Sequence, residues 1–302
     1  MNKGKAKIKT LPIVIFFATG LFLLASCESK RIVYTPKGYI IDKPEIYDLS
    51  PKLDEISGIC WINDTTMYAN NDESGKIFAI NLTNINDPDY ANVKFGCKGC
   101  EIKSKDDYED ITKVGDAIYV LISTGKIIKV TNYRSEDSLQ AEVVAQLPGN
   151  ENEFESLYYD KAVHSLILLC KNCHKEKDKI RSAYRFDLES NTLVDTPYYQ
   201  LSMDEVRMKV NDRTQEFRPS AAAINPIDGK LYMVSSIGKL LVIADRKGKV
   251  ENAFHISAVN FAQPEGITFA DNGDMYISNE VATEQNATLL KFAYTDPATV
   301  KK

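Results

Sequence analysis

The chain has 302 residues, 44% hydrophobic and 26% charged, with a formal net charge of −5. These proportions belong to a packed globular protein and exclude a disordered polymer, a collagen-like repeat and a multi-span membrane protein. An acidic chain with no basic run in its body lacks the electrostatic footprint of a nucleic-acid binder.

The first element is a leader. Lys3, Lys5, Lys7 and Lys9 precede 14 uncharged residues, Leu11 to Leu24. That stretch is short of the roughly 20 residues a membrane span needs and matches the apolar core of a secretion signal. Leu24-Ala-Ser-Cys27 resembles a bacterial lipobox. The resemblance implies a signal peptide over residues 1–26, cleavage before Cys27, diacylglycerol on its sulfur and acylation of the new amino terminus. Each buried methylene contributes about 0.8 kcal/mol to membrane binding, so several acyl chains anchor firmly to a lipid bilayer. Loss of the leader leaves 33 basic against 42 acidic residues, a charge of −9, so lipid rather than charge would do the anchoring. Residues 27–43 read as the lipidated cysteine and a polar tether. Glu28 is not an inner-membrane retention signal, which points to the outer membrane.

The body, residues 44–296, reads as short strands bounded by Gly, Asn and Asp, and it repeats. Five segments start with Glu or Ser and enter an apolar strand: Ser57-Gly-Ile-Cys-Trp, Glu109-Asp-Ile-Thr-Lys, Glu155-Ser-Leu-Tyr-Tyr, Ser220-Ala-Ala-Ala-Ile and Glu265-Gly-Ile-Thr-Phe. Second and third strands follow each, as in Thr66-Met-Tyr-Ala and Lys76-Ile-Phe-Ala. The starts are 52, 46, 65 and 45 residues apart, the period of propeller blades. Four units carry a fourth strand; the fifth runs out at Tyr294. Glu45-Ile-Tyr-Asp-Leu, which precedes the first unit, is therefore predicted to complete the last blade and close the ring, removing a free sheet edge. The expectation is an all-β, single β-propeller of five four-stranded blades. A sixth would have to hide in the third interval, where Met203 to Val210 reads instead as a short helical insert, and residues 297–302 are a tail.

Glu55-Ile-Ser-Gly-Ile, Asn71-Asp-Glu-Ser-Gly, Tyr108-Glu-Asp-Ile, Phe154-Glu-Ser-Leu-Tyr-Tyr-Asp, Arg218-Pro-Ser-Ala, Ser235-Ser-Ile-Gly-Lys-Leu and Gln263-Pro-Glu-Gly-Ile-Thr-Phe resemble the SdiA-regulated family of exported β-propellers. The resemblance implies the fold and an envelope location, and no established reaction.

In a four-stranded blade, the start of the inner strand and the loop between the second and third strands lie at one end. Ser57, Glu109, Glu155, Ser220 and Glu265 are thus expected around the channel mouth, joined by Glu55 and crowned by Asn71, Asp72, Glu73, Asn279 and Glu280. Converging carboxylates raise one another's pKa unless a cation intervenes, and oxygen ligands of this kind suit calcium. The cation reading places calcium on Glu109, Glu155 and Glu265, with a small ligand beside it. The competing reading has these glutamates cap backbone N–H groups of neighbouring blades.

Cys97-x-x-Cys100 and Cys170-x-x-Cys173 fall in loops of adjacent blades. An oxidising envelope favours disulfides over a four-cysteine zinc site. Cys170-Lys-Asn-Cys173-His174 also fits the haem c attachment pattern, but a single copy in a polar loop between strands argues against haem. Cys60 reads as a buried free thiol. No Gly-rich phosphate loop, serine-nucleophile elbow or metalloprotease motif is present. The expected role is a monomeric binding or scaffold module facing an envelope protein or small ligand. The alternative is a divalent-metal-dependent hydrolase of lactones or phosphoesters, since Pro264-Glu-Gly and Asn279-Glu are similar to elements of calcium-dependent gluconolactonase-type propellers.

Overall fold

The computed structural model describes Met1 and residues 35–85, 91–96, 101–134, 137–149, 151–174, 176–282 and 286–296. The leader, Cys27, Cys97 and Cys100 lie outside these ranges. Strand β1 (Glu45–Asp48) precedes blade 1, formed by β2 (Ile56–Asn63), β3 (Thr66–Asn71), β4 (Ser74–Asn81) and β5 (Ala91–Lys94). Blade 2 is β6 (Tyr108–Val114), β7 (Ala117–Ile122), β8 (Lys126–Thr131) and β9 (Gln140–Gln146). Blade 3 is β10 (Glu153–Asp160), β11 (Ser165–Asn172), β12 (Ile180–Asp187) and β13 (Thr192–Ser202). Blade 4 is β14 (Ala221–Ile224), β15 (Leu231–Ser235), β16 (Leu240–Ala244) and β17 (Val250–His255). Blade 5 is β18 (Pro264–Phe269), β19 (Met275–Asn279) and β20 (Thr288–Phe292), with β1 as its outer strand.

All five sheets are four-stranded and antiparallel, and the inner strands β2, β6, β10, β14 and β18 neighbour one another around a closed ring. Closure follows the expected route: β1 pairs with β20 from Glu45↔Lys291 to Asp48↔Thr288. The long third interval holds an extended β13 and helix α1 (Met203–Val210), not a sixth blade. Ser202 caps that helix by accepting from Glu205 N, and Asn211 ends it in the left-handed region. Met203 and Val206 pin it into the core between blades 3 and 4.

The apolar core is five clusters, each shared by two adjacent blades. Middle strands such as β7, β15 and β16 are buried at every position, which is why they read as continuous apolar runs. Outer β9 is largely half-exposed and correspondingly polar. Chain upstream of residue 44 is already packed: Tyr39 and Ile41 are buried between blades 4 and 5. The Tyr39 hydroxyl donates to Gly273 O at 2.7 Å and accepts from Asn225 Nδ2 at 2.8 Å. Among the described residues no helix is long and apolar enough to cross a membrane.

Near the axis the inner strands approach so closely that two of them require glycine. A Cβ on Gly58 would lie 2.4 Å from Asp110 Oδ1, and one on Gly266 would lie 2.4 Å from Ser278 Oγ.

Candidate functional site

Three of the five repeat starts share a local defect in their ladders. In β6 the pairing with β7 jumps from Tyr108↔Ile122 to Asp110↔Leu121, leaving Glu109 opposite nothing. In β10 it jumps from Phe154↔Cys170 to Ser156↔Leu169 and skips Glu155. In β18 it jumps from Pro264↔Asn279 to Gly266↔Ser278 and skips Glu265. A bulge of this kind re-aims the extra residue, and all three glutamates line one cavity at the channel mouth. Blade 1 slips register between Ile56 and Ile59 and contributes Ser57 to the cavity from that slip. Blade 4 pairs regularly from Ala221↔Val234 and contributes nothing to the lining.

The cavity encloses about 310 Å³ and is walled by Glu55, Asp72, Asp107, Glu109, Glu153, Glu155, Glu265 and Glu280, with Lys171, Gln263, Ser57 and Ile56. Among the described lining residues, eight carboxylates thus face one lysine. Lys171 bonds Glu155 and lies 3.5 Å from Glu153. Burial pushes Asp72 up to about 6, and Glu55, Asp107 and Glu73 add to the rise. Burial pushes Glu265 up to about 7 against the opposing pull of Lys171 and Lys239. Glu109 is raised well above the ordinary carboxylate range by burial and by Asp107, Glu265 and Asp72. Glu280 is raised by burial, then by its hydrogen bond with Glu55 and the charge of Glu265.

The tightest convergence is Glu55, Asp72 and Glu280, from blades 1 and 5, each with a carboxylate oxygen within 4.8 Å of the others. Calcium–oxygen bonds of roughly 2.3–2.6 Å allow ligand separations up to about 5 Å, so the trio fits one such ion. Glu109, Glu155 and Glu265, the calcium set expected from the repeats, line the same cavity but do not form such a group among the described residues. Their bulges spread them over three blades, and Glu155 is drawn to Lys171. Two buried oxygens on the wall, Asp72 Oδ1 and Glu155 Oε2, have no hydrogen-bond partner.

Other predicted residues serve the ring. Ser57 Oγ donates to Glu109 O at 2.7 Å across blades 1 and 2, while its carbonyl accepts from Ser278 Oγ of blade 5 at 3.1 Å. Ser220 Oγ donates to Pro264 O at 2.6 Å, joining blades 4 and 5 away from the cavity. Asn71 accepts from Ser74 across its own turn. Asn279 donates to Asn260 O and Thr288 Oγ1, and its buried Oδ1 has no partner. Glu73 lies with Asp72, Lys105, Asp106 and Asp107 in an adjoining acidic hollow. Cys170 and Cys173 are joined as a disulfide. Cys60 is buried and free, its thiol pushed up to about 12 by burial.

Sequence reasoning missed Asp107, Glu153, Gln263 and Lys171 on the wall, and Asp110 beneath it. Asp110 is fully buried, accepts from Leu157 N at 2.7 Å and Ile111 N at 2.8 Å, and so ties blade 2 to blade 3. A signal for three of the wall residues existed: each stands two residues before a repeat start, as Glu55 stands before Ser57.

The architecture defines a closed five-bladed propeller with an acidic chamber at one mouth. The chain belongs to the SdiA-regulated family, matched over residues 97–283. Among solved structures it is similar to glutaminyl cyclase from Myxococcus xanthus, at 12% identity over 83% of this chain and 96% of that one, with a TM-score of 0.55. It is also similar to the PQQ-bound aldose sugar dehydrogenase from Streptomyces coelicolor, at 11% identity over 86% and 100% of the two chains and a TM-score of 0.52. At these identities the likeness is one of fold. No curated protein matches the chain.

Proposed function

We propose that this protein is an envelope-anchored binding module that holds a hard divalent cation of the calcium class at the channel mouth. Glu55, Asp72 and Glu280 are its protein ligands, and the rest of the chamber admits a small ligand beside the ion. The observation that carries the reading is the convergence of those three carboxylates within 4.8 Å, beside buried oxygens that no protein donor satisfies. Without a cation such oxygens repel, and Asp72 and Glu280 hold their protons above the ordinary carboxylate range, chiefly through burial. A divalent ion replaces those protons and supplies the missing partner.

Calorimetric titration of the detergent-solubilised full chain with calcium at pH 8 tests the site. The parent releases or absorbs heat with a stoichiometry of one, and Asp72→Asn and Glu280→Gln each abolish the signal or weaken it strongly. Absence of heat in the parent sinks the cation reading. Anchoring is supported by the leader pattern and the cysteine at its end. Incorporation of a labelled fatty acid that is lost in Cys27→Ser tests it, and labelling that persists in that variant refutes it.

A further inference from the structure

Blade 3 carries a second cluster of ligating atoms, separate from the chamber. Successive residues of a strand face opposite sides. At the end of β11, Lys171 lines the chamber, while Cys170 packs with Cys173 in the apolar core shared with blade 2. Cys170 is 0% exposed, and Cys173 and Glu176 are each 7% exposed. Glu176 Oε1 accepts from Ser182 N at 2.9 Å. Its other oxygen, Oε2, is buried and has no partner. A carboxylate oxygen of Glu176 and the two sulfurs all lie within 4.8 Å of one another.

A disulfide offers no hydrogen-bond donor, so in the oxidised protein this buried carboxylate faces sulfurs that cannot satisfy it. Two thiolates and a carboxylate, by contrast, are a ligand set for a borderline-soft divalent ion, with one coordination position left open. We propose that Cys170, Cys173 and Glu176 form a redox-gated site for a divalent cation of the zinc class, closed as the disulfide and opened by reduction. In the opening step a dithiol reductant transfers two electrons and two protons. The Cys170–Cys173 bond breaks, each sulfur leaves as a thiol, and the reductant becomes its own disulfide. The incoming cation then displaces the two thiol protons to solvent and takes the Glu176 oxygen as third protein ligand. The site involves none of the chamber's ligands, so it stands or falls independently of calcium binding there.

The test uses the full chain in detergent with Cys27, Cys97 and Cys100 changed to Ser, leaving buried Cys60 as the one other thiol. The protein is reduced with excess dithiol, freed of reductant under anaerobic conditions and titrated with cadmium. Ultraviolet thiolate-to-metal charge transfer is recorded, and near-ultraviolet circular dichroism reports the fold. The reduced protein is expected to bind one equivalent, and the oxidised protein none. Cys173→Ser removes the absorbance band, and Glu176→Gln keeps both thiols but weakens binding at least tenfold. A folded, fully reduced protein that shows no band overturns the proposal. So does a Glu176→Gln variant that titrates like its parent, or loss of the fold on reduction alone.

Discussion

Replacing Glu265 by Gln should stabilise the cation-free protein, and by an amount that depends on pH. The Glu265 carboxyl sits at about 7 in the folded chain against an ordinary 4.5. A shift of one unit is about 1.4 kcal/mol, so ionising this group in the chamber costs roughly 3 kcal/mol as an upper bound. Its partial contact with solvent brings the working figure nearer 2 kcal/mol. Because the folded value lies above the unfolded one, the folded state holds the extra proton between the two. Stability is therefore highest below about 4.5, declines as pH rises toward about 7 and is level above it. Glutamine keeps the shape and removes the titration. Glu265→Gln is expected to raise the melting temperature of chelator-treated protein by about 4–8 °C at pH 8, at the roughly 2–4 °C per kcal/mol typical of this size. At pH 5 the gain falls below about 1 kcal/mol. Thermal and urea unfolding at both pH values measure it, and calcium should shrink the difference by relieving the same repulsion in the parent. An equal loss of stability at both pH values would refute the reasoning, since it would mean that the carboxylate serves a structural bond.

Calcium affinity itself should fall about tenfold or more from pH 8 to pH 5, because protons compete for Asp72, at about 6, and for the raised Glu280; calorimetry at the two pH values reads this directly. Gly58→Ala should cost about 1–3 kcal/mol in urea unfolding, since its Cβ would meet Asp110 Oδ1 at 2.4 Å and Asp110 Cα at 2.6 Å. Tyr39→Phe should cost about 1–3 kcal/mol by removing the hydroxyl that accepts from the buried Asn225 amide and donates to the Gly273 carbonyl. An unchanged urea midpoint would show that the segment before β1 does not staple the ring.

Much of the architecture is written in local pattern. Buried middle strands such as Ala117-Ile-Tyr-Val-Leu-Ile must be apolar throughout, and their turns need Gly, Asn or Asp, so strands and blade count can be read directly. Closure was legible for a different reason: Glu45 to Leu49 had β-pattern and no sequential partner, while the last unit lacked a fourth strand. The chamber was legible only in part. Glu109, Glu155 and Glu265 were found because the repeat marks them, but the ion-sized group is Glu55, Asp72 and Glu280. Which oxygens converge depends on bulges, and a bulge leaves no residue signature at these positions. Asp107, Glu153 and Gln263 share the offset of Glu55, so aligning the repeats two residues earlier would have exposed them. Lys171 was hidden because its place follows from the pairing of Glu153 with Asn172 across the sheet, which no spacing encodes.

The bulges also account for how differently the five repeat starts sit in the ring. A repeat start must join its neighbour near the axis, where no room remains for a large side chain, as Gly58 and Gly266 show. Ser57 and Ser220 meet this demand with short hydroxyls that donate to the next blade's backbone. In blades 2, 3 and 5 the ladder slips by one residue at the glutamate, and blade 1 slips as well, between Ile56 and Ile59 around Ser57. Blade 4, with serine at its start, keeps a regular ladder from Ala221 onward and leaves its side of the chamber without acid. Each bulge interrupts the ladder; at Glu109 and Glu265 it also holds a carboxyl raised chiefly by burial, while at Glu155 it meets Lys171. The serine hydroxyls thus serve the joints between blades, whereas the bulged glutamates line the chamber, so a loss of ligand binding without a loss of stability is expected from the glutamates and the reverse from the serines.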